Sequence, residues 1–599
     1  MRFHALFLAS CALGAAVLAA SCGGKGTVGF DDGGPTDDGG IADSGPVIGD
    51  EFSLNSEGGP GEGGPTCALK CSADFHAVLD CNDQVVQSCS GTDGCDAKLG
   101  KCTNACTAAI NNKQSVGCEY YATHMQNYGG ASYCFAVFVA NTWNTPAKLT
   151  VDFNGQSLPI ANFARIPAGQ GQSITYQAYN AQTGLPPGQV AILFLGGNQG
   201  ANPMCPAPTA VGTTSMLSGT GKGHSFRIGT DVPVVAYEMN PYGGGSVAVT
   251  GASLLLPTSA WDLNYIASTA SPQTVDAPSI NIIAANDNTQ ITMLPPVAVT
   301  GGGGLPSGAA NAQLKFTLNK GEQAQFVQNA DLVGTVIQTS APVGLMAGNP
   351  CMNVPKGTIF CDHGEQMIPP VGALGSEYVG VMYRPRGNEP AIYRLVGAVD
   401  GTTLSYTPSA PSGAPTTLSR GQMAEFQSAT PFVVKAQDDK HPFEFFTYMS
   451  GSGWNLIGKS DYGDPDFAVG VPPAQWMSDY VFFTDPTFPE TNLVVIRKPT
   501  SPNTFEDVTL DCMAQPISGW QNIGNYQWAR VDVSTGNFQS VGGCSNGRHE
   551  MKSKGTFGLT VWGWGTPLTS NFTANVSYAY PAGMNVQTIN TVVVQPTPK

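Results

Sequence analysis

Charge is scarce in this chain. Only 12% of its 599 residues are charged, and the 27 Lys and Arg are outnumbered by 43 Asp and Glu. No cluster of Lys and Arg exists that could neutralise a row of phosphates, so the sequence excludes a nucleic-acid partner. The net charge of −16 is typical of an acidic surface that favours solubility.

Sequence typical of long helices is almost absent after residue 22, because runs of Ala, Leu, Glu, Lys and Arg do not occur there. Instead, 74 Gly and 44 Pro put turn formers at about a fifth of all positions. The apolar runs are short, rich in β-branched and aromatic residues, and closed by turn residues. The chain is also too long for one small core, so we expect an all-β fold of several modules.

Sequence motifs of common enzymes are missing as well. The chain has no His-Glu-x-x-His zinc motif and no Gly-x-Ser-x-Gly motif in a strand-to-helix context. The segment SGTGKGH at 218–224 lacks the first Gly and the final Ser or Thr of a phosphate-binding loop. The seven histidines are scattered, so a catalytic triad has no support. We therefore predict no catalytic residue, no cofactor and no metal site, and expect that the chain is not an enzyme.

Residues 1–22 have the features of an export signal. A basic start is followed by an apolar stretch that is too short for a membrane span. Its end, Ala19-Ala20-Ser21-Cys22, resembles a bacterial lipobox, so Cys22 is the predicted lipidation site; cleavage as an ordinary signal is the alternative. Gly23 is not the Asp of an inner-membrane retention signal, so we expect an outer-membrane lipoprotein at the cell surface or facing the periplasm.

Residues 23–66 consist of Gly, Asp, Pro, Ser and Glu with hardly any apolar content. Such a segment cannot bury enough surface to fold and is predicted to be a disordered tether. A flexible tether of this length spans about 35 Å, which is enough to clear lipid headgroups.

Cysteines are concentrated directly after the tether. Residues 67–117 are too short for a large core, so we predict a small segment held together by disulfide bonds. Without the signal cysteine and Cys22, 14 cysteines remain, which predicts up to seven disulfides in an exported chain; zinc binding is the alternative, but the spacing does not match zinc modules. The isolated pairs are the clearest disulfide candidates, namely Cys351 with Cys361, which closes a short loop, and Cys512 with Cys544.

Residues 118–583 contain a loosely repeated unit about four times. Its marker is an apolar run, a polar turn and a second apolar run, found at 225–239, 334–348, 432–451 and 549–565. About six strands per unit fit tandem antiparallel sheets, either as sandwich-like modules or as pairs of β-propeller blades. Residues 584–599 are expected to form a C-terminal tail.

Aromatic residues recur at equivalent places in the repeats. Trp261 and Trp476 each precede a Tyr by four residues, and Trp562 and Trp564 alternate along one predicted strand. An exposed Trp–Tyr pair would stack on sugars, whereas placement at a strand start favours the core of each repeat. The alternation puts the last two side chains on one face, as packing against a neighbouring sheet requires. We therefore predict structural roles for these aromatics.

Four segments resemble the N-terminal domain of the IgG Fc-binding protein family and its bacterial lipoprotein relatives. They are IIAANDNTQITM, DLVGTVIQTSAPVGLMAGNPCMNVP, CDHGEQMIPPVGALGSEYV and YRLVGAVDGTTL, in the family's order. The resemblance is dense from about 254 to 450 and thinner outward to 118 and 583. The cysteine-rich von Willebrand-type modules of the animal proteins have no match here. The resemblance implies an extracellular β-rich module associated with binding.

One polar cluster is a candidate binding site. Asp362, His363 and Glu365 lie beside Cys361 in the segment CDHGE and could bind a divalent metal or act on a glycan. The interpretation that we favour is a loop shaped by the disulfide and by Gly364, in which Asp362 and His363 hydrogen-bond the backbone.

These observations favour a cell-surface lipoprotein that works in adhesion or recognition. We expect its repeated β scaffold to bind an extracellular protein, glycoprotein or glycan through loops, since loops on rigid sheets usually carry such functions. An extracellular polysaccharide hydrolase and a structural envelope protein are the alternatives.

Overall fold

A computed structural model describes residues 68–244, 249–270, 276–458, 461–570 and 572–598. The predicted signal peptide, the tether and Cys22 lie outside the described residues. Within them the fold is almost entirely antiparallel β-sheet, which confirms the predicted fold class. No helix in these ranges is long and apolar enough to cross a bilayer.

The cysteine-rich segment forms a small unit of strands and one helix. Its elements are β1 (Lys70–Cys71), β2 (Ala77–Leu79), β3 (Val85–Ser88), β4 (Asp93–Asp96), β5 (Lys101–Asn104) and α1 (Ala105–Asn112). The side chain of Asn104 caps α1 by accepting hydrogen bonds from two backbone N–H groups of its first turn. The disulfides between described residues of this region include Cys71–Cys95, Cys89–Cys102 and Cys106–Cys118, and Cys81 is disulfide-bonded as well. Disulfide bonds therefore hold a segment whose buried apolar cluster is small.

Four modules follow. The strands of module 1 and the connection to module 2 are β6 (Gly117–Ala122), β7 (Phe135–Asn141), β8 (Leu149–Phe153), β9 (Gln156–Ser157), β10 (Ala164–Ala168), β11 (Thr175–Ala178), β12 (Val190–Gly196), β13 (Gly221–His224), β14 (Phe226–Met239) and β15 (Ala252–Leu255). Those of module 2 are β16 (Asp262–Ile266), β17 (Ser279–Ala284), β18 (Thr289–Leu294), β19 (Leu314–Leu318), β20 (Glu322–Val327), β21 (Val336–Met352) and β22 (Asp362–Met367).

Modules 3 and 4 repeat this order. The strands of module 3 are β23 (Glu377–Gly380), β24 (Ala391–Gly397), β25 (Thr402–Thr407), β26 (Thr417–Leu418), β27 (Met423–Ser428), β28 (Phe432–Ala436), β29 (Phe443–Met449) and β30 (Asp466–Val469). Those of module 4 are β31 (Met477–Thr484), β32 (Glu490–Arg497), β33 (Val508–Leu510), β34 (Gln521–Ile523), β35 (Tyr526–Thr535), β36 (Gln539–Ser540), β37 (Gly547–Thr566) and β38 (Thr573–Pro581).

A long bent strand connects the two sheets of each module. In module 2 the first part of β21 pairs with β16 and β18, and its second part pairs with β17 and β22. Strands β14 and β37 divide their partners in the same way. In module 3 the long strand is broken into β28 and β29, which belong to two separate sheets. Each module is therefore a two-sheet sandwich.

The last strands of the four modules meet at the centre of the protein. Strand β15 contacts β22, β22 contacts β30, β30 contacts β38, and β38 contacts β15, which closes a ring. The side-chain amide of Gln366 on β22 donates to the carbonyls of Ala252, Phe467 and Ala579 at 2.8–2.9 Å, one on each of the other three strands. The modules are thus sandwiches, but they are arranged around a common centre as propeller blades are.

A tyrosine near the first strand marks every module. The Tyr265 hydroxyl donates to the carbonyl of Val343 on the bent strand (2.7 Å) and accepts from the N–H of Asp262 (3.1 Å). The hydroxyls of Tyr120, Tyr378 and Tyr480 likewise donate to carbonyls of Val234, Phe443 and Phe557. The repeated tyrosines, Trp261 and Trp476, and the pair Trp562 and Trp564 are all buried, which confirms their predicted structural roles.

The segment after β38 crosses the modules without forming helix or strand. Asn590 donates to the carbonyls of Val371 and Leu374 between modules 2 and 3, and the N–H of Val594 donates to Asn264 of module 2. These hydrogen bonds hold the C-terminal segment against the modules.

Candidate ligand-binding site

The predicted polar cluster lies in the interior of the protein. Asp362, His363 and Glu365 belong to β22, where Glu365 pairs with Gly348 of β21, so the interpretation of this segment as a loop is wrong. All three side chains are buried. A Cβ atom on Gly364 would come within 2.7 Å of the Met352 sulfur, so this glycine serves close packing and not a turn.

Burial disfavours the charged form of each of these groups. It lowers the pKa of His363 to about 3 and raises the pKa values of Asp362 and Glu365 well above their usual values. The His363 Nε2 and Glu365 Oε2 atoms are 3.1 Å apart, and one Asp362 oxygen accepts the N–H of Thr250 at 2.9 Å. Burial also raises the pKa of the nearby Glu238 carboxyl, and the negative charge of Glu365 raises it further. The cluster joins the central strands and does not reach solvent.

A second group with metal-binding residue types occurs in module 4. Asp511, Cys512 and His549 lie together, and the Asp511 Oδ1 and His549 Nδ1 atoms are 3.1 Å apart. The Cys512 sulfur, however, is bonded to Cys544 and cannot act as a thiolate ligand. The group is therefore a histidine in hydrogen-bond contact with an aspartate beside a disulfide.

The most exposed apolar feature of the modules is a disulfide-closed loop. Cys351 is bonded to Cys361, and we call residues 352–360 between them the stapled loop. Its Ile359 and Phe360 side chains, the apolar tip, are 64% and 43% exposed. Phe360 has a φ of +66°, a left-handed conformation that is uncommon for a residue other than glycine. Large apolar groups held in solvent mark interaction sites.

Neighbouring residues hold the stapled loop in place. The amide of Asn353 donates to the Phe360 carbonyl at 2.9 Å, and the N–H of Gly451 donates to the Val354 carbonyl at 2.7 Å. A Cβ atom on Gly453 would lie 2.4 Å from Ile359 Cγ1, so only glycine permits this approach of the two loops. The exposed Leu456 lies on the same neighbouring loop. The apolar tip is therefore presented on a supported backbone.

A cleft of about 190 Å³ lies beside the stapled loop. It separates the loop from a sheet of module 3, and its lining residues are Asn353, Val354, Pro355 and Lys356 on one wall and Ile392, Glu425, Phe426, Gln427 and Tyr448 on the other. Beneath it, the buried Arg394 guanidinium donates to Glu425 Oε1 at 2.8–2.9 Å. The Tyr448 hydroxyl is buried and has no hydrogen-bond partner among the described residues. We call this space the inter-module cleft.

Sequence reasoning found the disulfide of this site but missed the exposed residues of its loop and the residues that line the cleft. In the segment PKGTIFC two large apolar residues, Ile359 and Phe360, lie next to each other in a polar turn region. This pattern could have predicted an exposed apolar tip. Glu425, Gln427 and Tyr448 belong to the next repeat, and nothing in the pattern of either repeat indicated that they face residues 353–356.

The comparison with protein families agrees with this architecture. The model described as IgGFc binding protein matches residues 251–563, which include both walls of the cleft and the stapled loop. That description names a protein ligand. No curated protein matches the chain. The matched residues make up more than half of the sequence and confirm the resemblance drawn from its motifs, and the chain therefore belongs to the IgGFc binding protein family.

Proposed function

We propose that the chain is an extracellular recognition protein that binds a protein ligand through the apolar tip of the stapled loop, without catalysis. The observation that carries this proposal is the exposure of Ile359 and Phe360 on a loop closed by a disulfide and braced by a second loop. Family membership supports a protein as the ligand. The IgG Fc fragment is for this reason the first ligand to test.

The geometry favours tight association for two physical reasons. Fully burying a Phe or Ile side chain contributes about 1.5–3 kcal/mol each, and such anchors dominate the binding energy of protein interfaces. The disulfide and the hydrogen bonds from Asn353 and Gly451 hold the loop before the ligand arrives. Less conformational entropy is then lost on binding.

The burial of the polar cluster supports a non-catalytic role. Asp362, His363 and Glu365, the residues considered for metal or glycan chemistry, are buried, so they cannot reach a substrate from solvent. Release of reducing sugar from a defined polysaccharide by the purified chain would favour the hydrolase alternative instead.

Attachment to the outer membrane belongs to the same proposal. The lipobox-like segment ending at Cys22 supplies the lipid anchor, and the tether places the modules away from the headgroups. Metabolic labelling with a fatty-acid analogue should label the wild-type chain and leave a Cys22→Ser variant unlabelled. Labelling of both chains would contradict lipidation at this residue.

Binding is tested with the mature chain carrying Cys22→Ser, folded under oxidising conditions. Immobilised IgG Fc and a panel of extracellular glycoproteins serve as ligands, and binding is followed by surface plasmon resonance. Phe360→Ser is expected to weaken the binding of the responding ligand at least tenfold, since a lost anchor costs about 1.4 kcal/mol or more.

Leu568→Ser is the matched control, because Leu568 is 56% exposed and belongs to module 4, whereas the stapled loop belongs to module 2. It should leave the affinity unchanged. Equal affinities of wild type, Phe360→Ser and Leu568→Ser for the same ligand would refute the proposed site, and no saturable binding to any protein in the panel would count against the function.

A further inference from the structure

We infer that the inter-module cleft receives a single neutral sugar ring carried by a glycoprotein ligand. This inference rests on the proposed function, because it places the sugar beside the apolar tip that contacts the protein part of the same ligand. Both surfaces belong to one element, since Asn353–Lys356 form a wall of the cleft and Ile359 and Phe360 form the tip.

The size of the cleft limits its occupant. Its volume of about 190 Å³ lies below the ~300–1,000 Å³ that pockets for drug-sized ligands occupy. One six-membered ring or one side chain fits such a space, whereas an oligosaccharide would have to extend outside it.

The charges around the cleft favour a neutral group. Lys356 stands on one wall and Glu425 on the other, and the buried Arg394 guanidinium lies against Glu425. Lys356 and Glu425 are the charged lining residues and have opposite signs, so a ligand carboxylate or ammonium would be attracted by one of them and repelled by the other, without a net gain. An uncharged ligand avoids both repulsions.

The lining combines hydrogen-bond donors and acceptors in one small space. Lys356 offers donors, Glu425 offers acceptors, and the Gln427 amide offers both. Glu425 keeps its ion pair with Arg394 whatever occupies the cleft, whereas an apolar side chain would displace water from the exposed Lys356 and Gln427 without replacing its hydrogen bonds, which is unfavourable. The vicinal hydroxyls of a sugar, each a donor and an acceptor, match them.

The remaining lining is apolar. The space between the polar groups is enclosed by Val354, Pro355, Ile392 and Phe426. A sugar ring presents C–H groups on its faces and hydroxyls at its edge, so it can pack against such walls while its hydroxyls reach the polar rim. Specific small-ligand sites commonly combine apolar walls with a few placed polar groups in this way.

The inference is tested by saturation-transfer NMR on the mature chain with N-acetylglucosamine, mannose, galactose, glucose and N-acetylneuraminic acid as probes. We expect transfer to at least one neutral sugar, with an affinity on the order of 1 mM, and none to the acidic sugar. Gln427→Leu should abolish the transfer, because it removes the amide that hydrogen-bonds the sugar. Because Gln427 is exposed, this substitution should leave the fold intact. Gln290→Leu, at an exposed glutamine of β18, is the matched control.

The outcomes separate this inference from the proposed function. Phe360→Ser should keep the sugar signal and lose the protein ligand, and enzymatic removal of glycans from the ligand should weaken its binding to wild type but not to Gln427→Leu. Absence of transfer from every neutral sugar, or transfer that persists in Gln427→Leu, would overturn the sugar site. If the sugars bind the cleft while no glycoprotein binds the chain, the proposed function alone fails.

Discussion

The hydrogen bonds of Gln366 give the architecture a quantitative test. This side chain lies at the centre of the ring, and its amide donates to carbonyls of β15, β30 and β38 at 2.8–2.9 Å. A Gln366→Leu variant keeps an apolar side chain of similar volume but removes the donors. The four modules then lose a side chain that hydrogen-bonds from β22 to the other three central strands.

The expected cost follows from the number of groups left unpaired. Two N–H donors serve three buried carbonyls, and a buried polar group that loses its partner costs about 1–3 kcal/mol. Strand pairing supplies other donors to these carbonyls, so the cost for each carbonyl should lie near the lower end of this range. We therefore expect Gln366→Leu to lower the free energy of unfolding by about 2–4 kcal/mol.

Urea unfolding followed by tryptophan fluorescence measures this change, with Gln290→Leu as the control for an exposed glutamine. The control should stay within about 0.5 kcal/mol of wild type. Equal urea midpoints of Gln366→Leu and wild type would refute the reasoning that the central amide couples the modules.

Three further predictions concern stability and the loop. Burial raises the pKa of Asp464 and Asp485 to about 6 and raises the pKa values of Asp362 and Asp466 well above their usual range. Between about pH 4 and 6 the folded chain therefore binds more protons at these four carboxyls than the unfolded chain, and stability present at low pH is lost as pH rises, at about 1.4 kcal/mol per pH unit for each carboxyl that stays protonated. The two buried histidines, with pKa values of about 3, have the opposite effect below pH 6.5, but four carboxyls outweigh two histidines, so the urea midpoint should fall from about pH 4 to 6, and a rise would contradict the buried carboxyls. Tyr265→Phe removes a hydroxyl that hydrogen-bonds two backbone groups, so it should lower the free energy of unfolding, measured with urea, by about 2–4 kcal/mol. A decrease of less than about 0.5 kcal/mol would show that the repeated tyrosine does not stabilise its module. Replacing Cys351 and Cys361 by Ser removes a disulfide with a sequence separation of 10, whose loss should lower the free energy of unfolding by about 2.7 kcal/mol through chain entropy. Proteolysis of residues 352–360 should then become faster. Unchanged cleavage would mean that the neighbouring loop alone holds the tip.

The sequence predicted the parts of the fold that depend on local pattern. Short β-branched runs between turn residues correctly indicated antiparallel sheets, and the spacing of Trp261 and Trp476 before a Tyr correctly indicated core positions. The first copy of this marker, at Tyr120, was missed because no Trp precedes it. The closed ring was not predictable, because its four strands lie about 100 residues apart and touch only after each module has formed.

Polar residues in the central strands misled the interpretation of residues 361–365. Asp362, His363 and Glu365 break the apolar pattern expected of a buried strand, and such a break favours a loop. In the structure each side chain has a polar contact, such as the N–H of Thr250 that Asp362 accepts, while burial disfavours the charged forms. Local periodicity carries no information about such partners.

The central claim is that a protein ligand docks on the stapled loop. Hydrogen–deuterium exchange of the mature chain, free and saturated with the glycoprotein that it binds, tests this most directly. We predict that new protection will be concentrated in residues 352–361 and in the neighbouring residues 451–457. Protection that appears on other modules while these residues exchange as they do in the free chain would contradict the account.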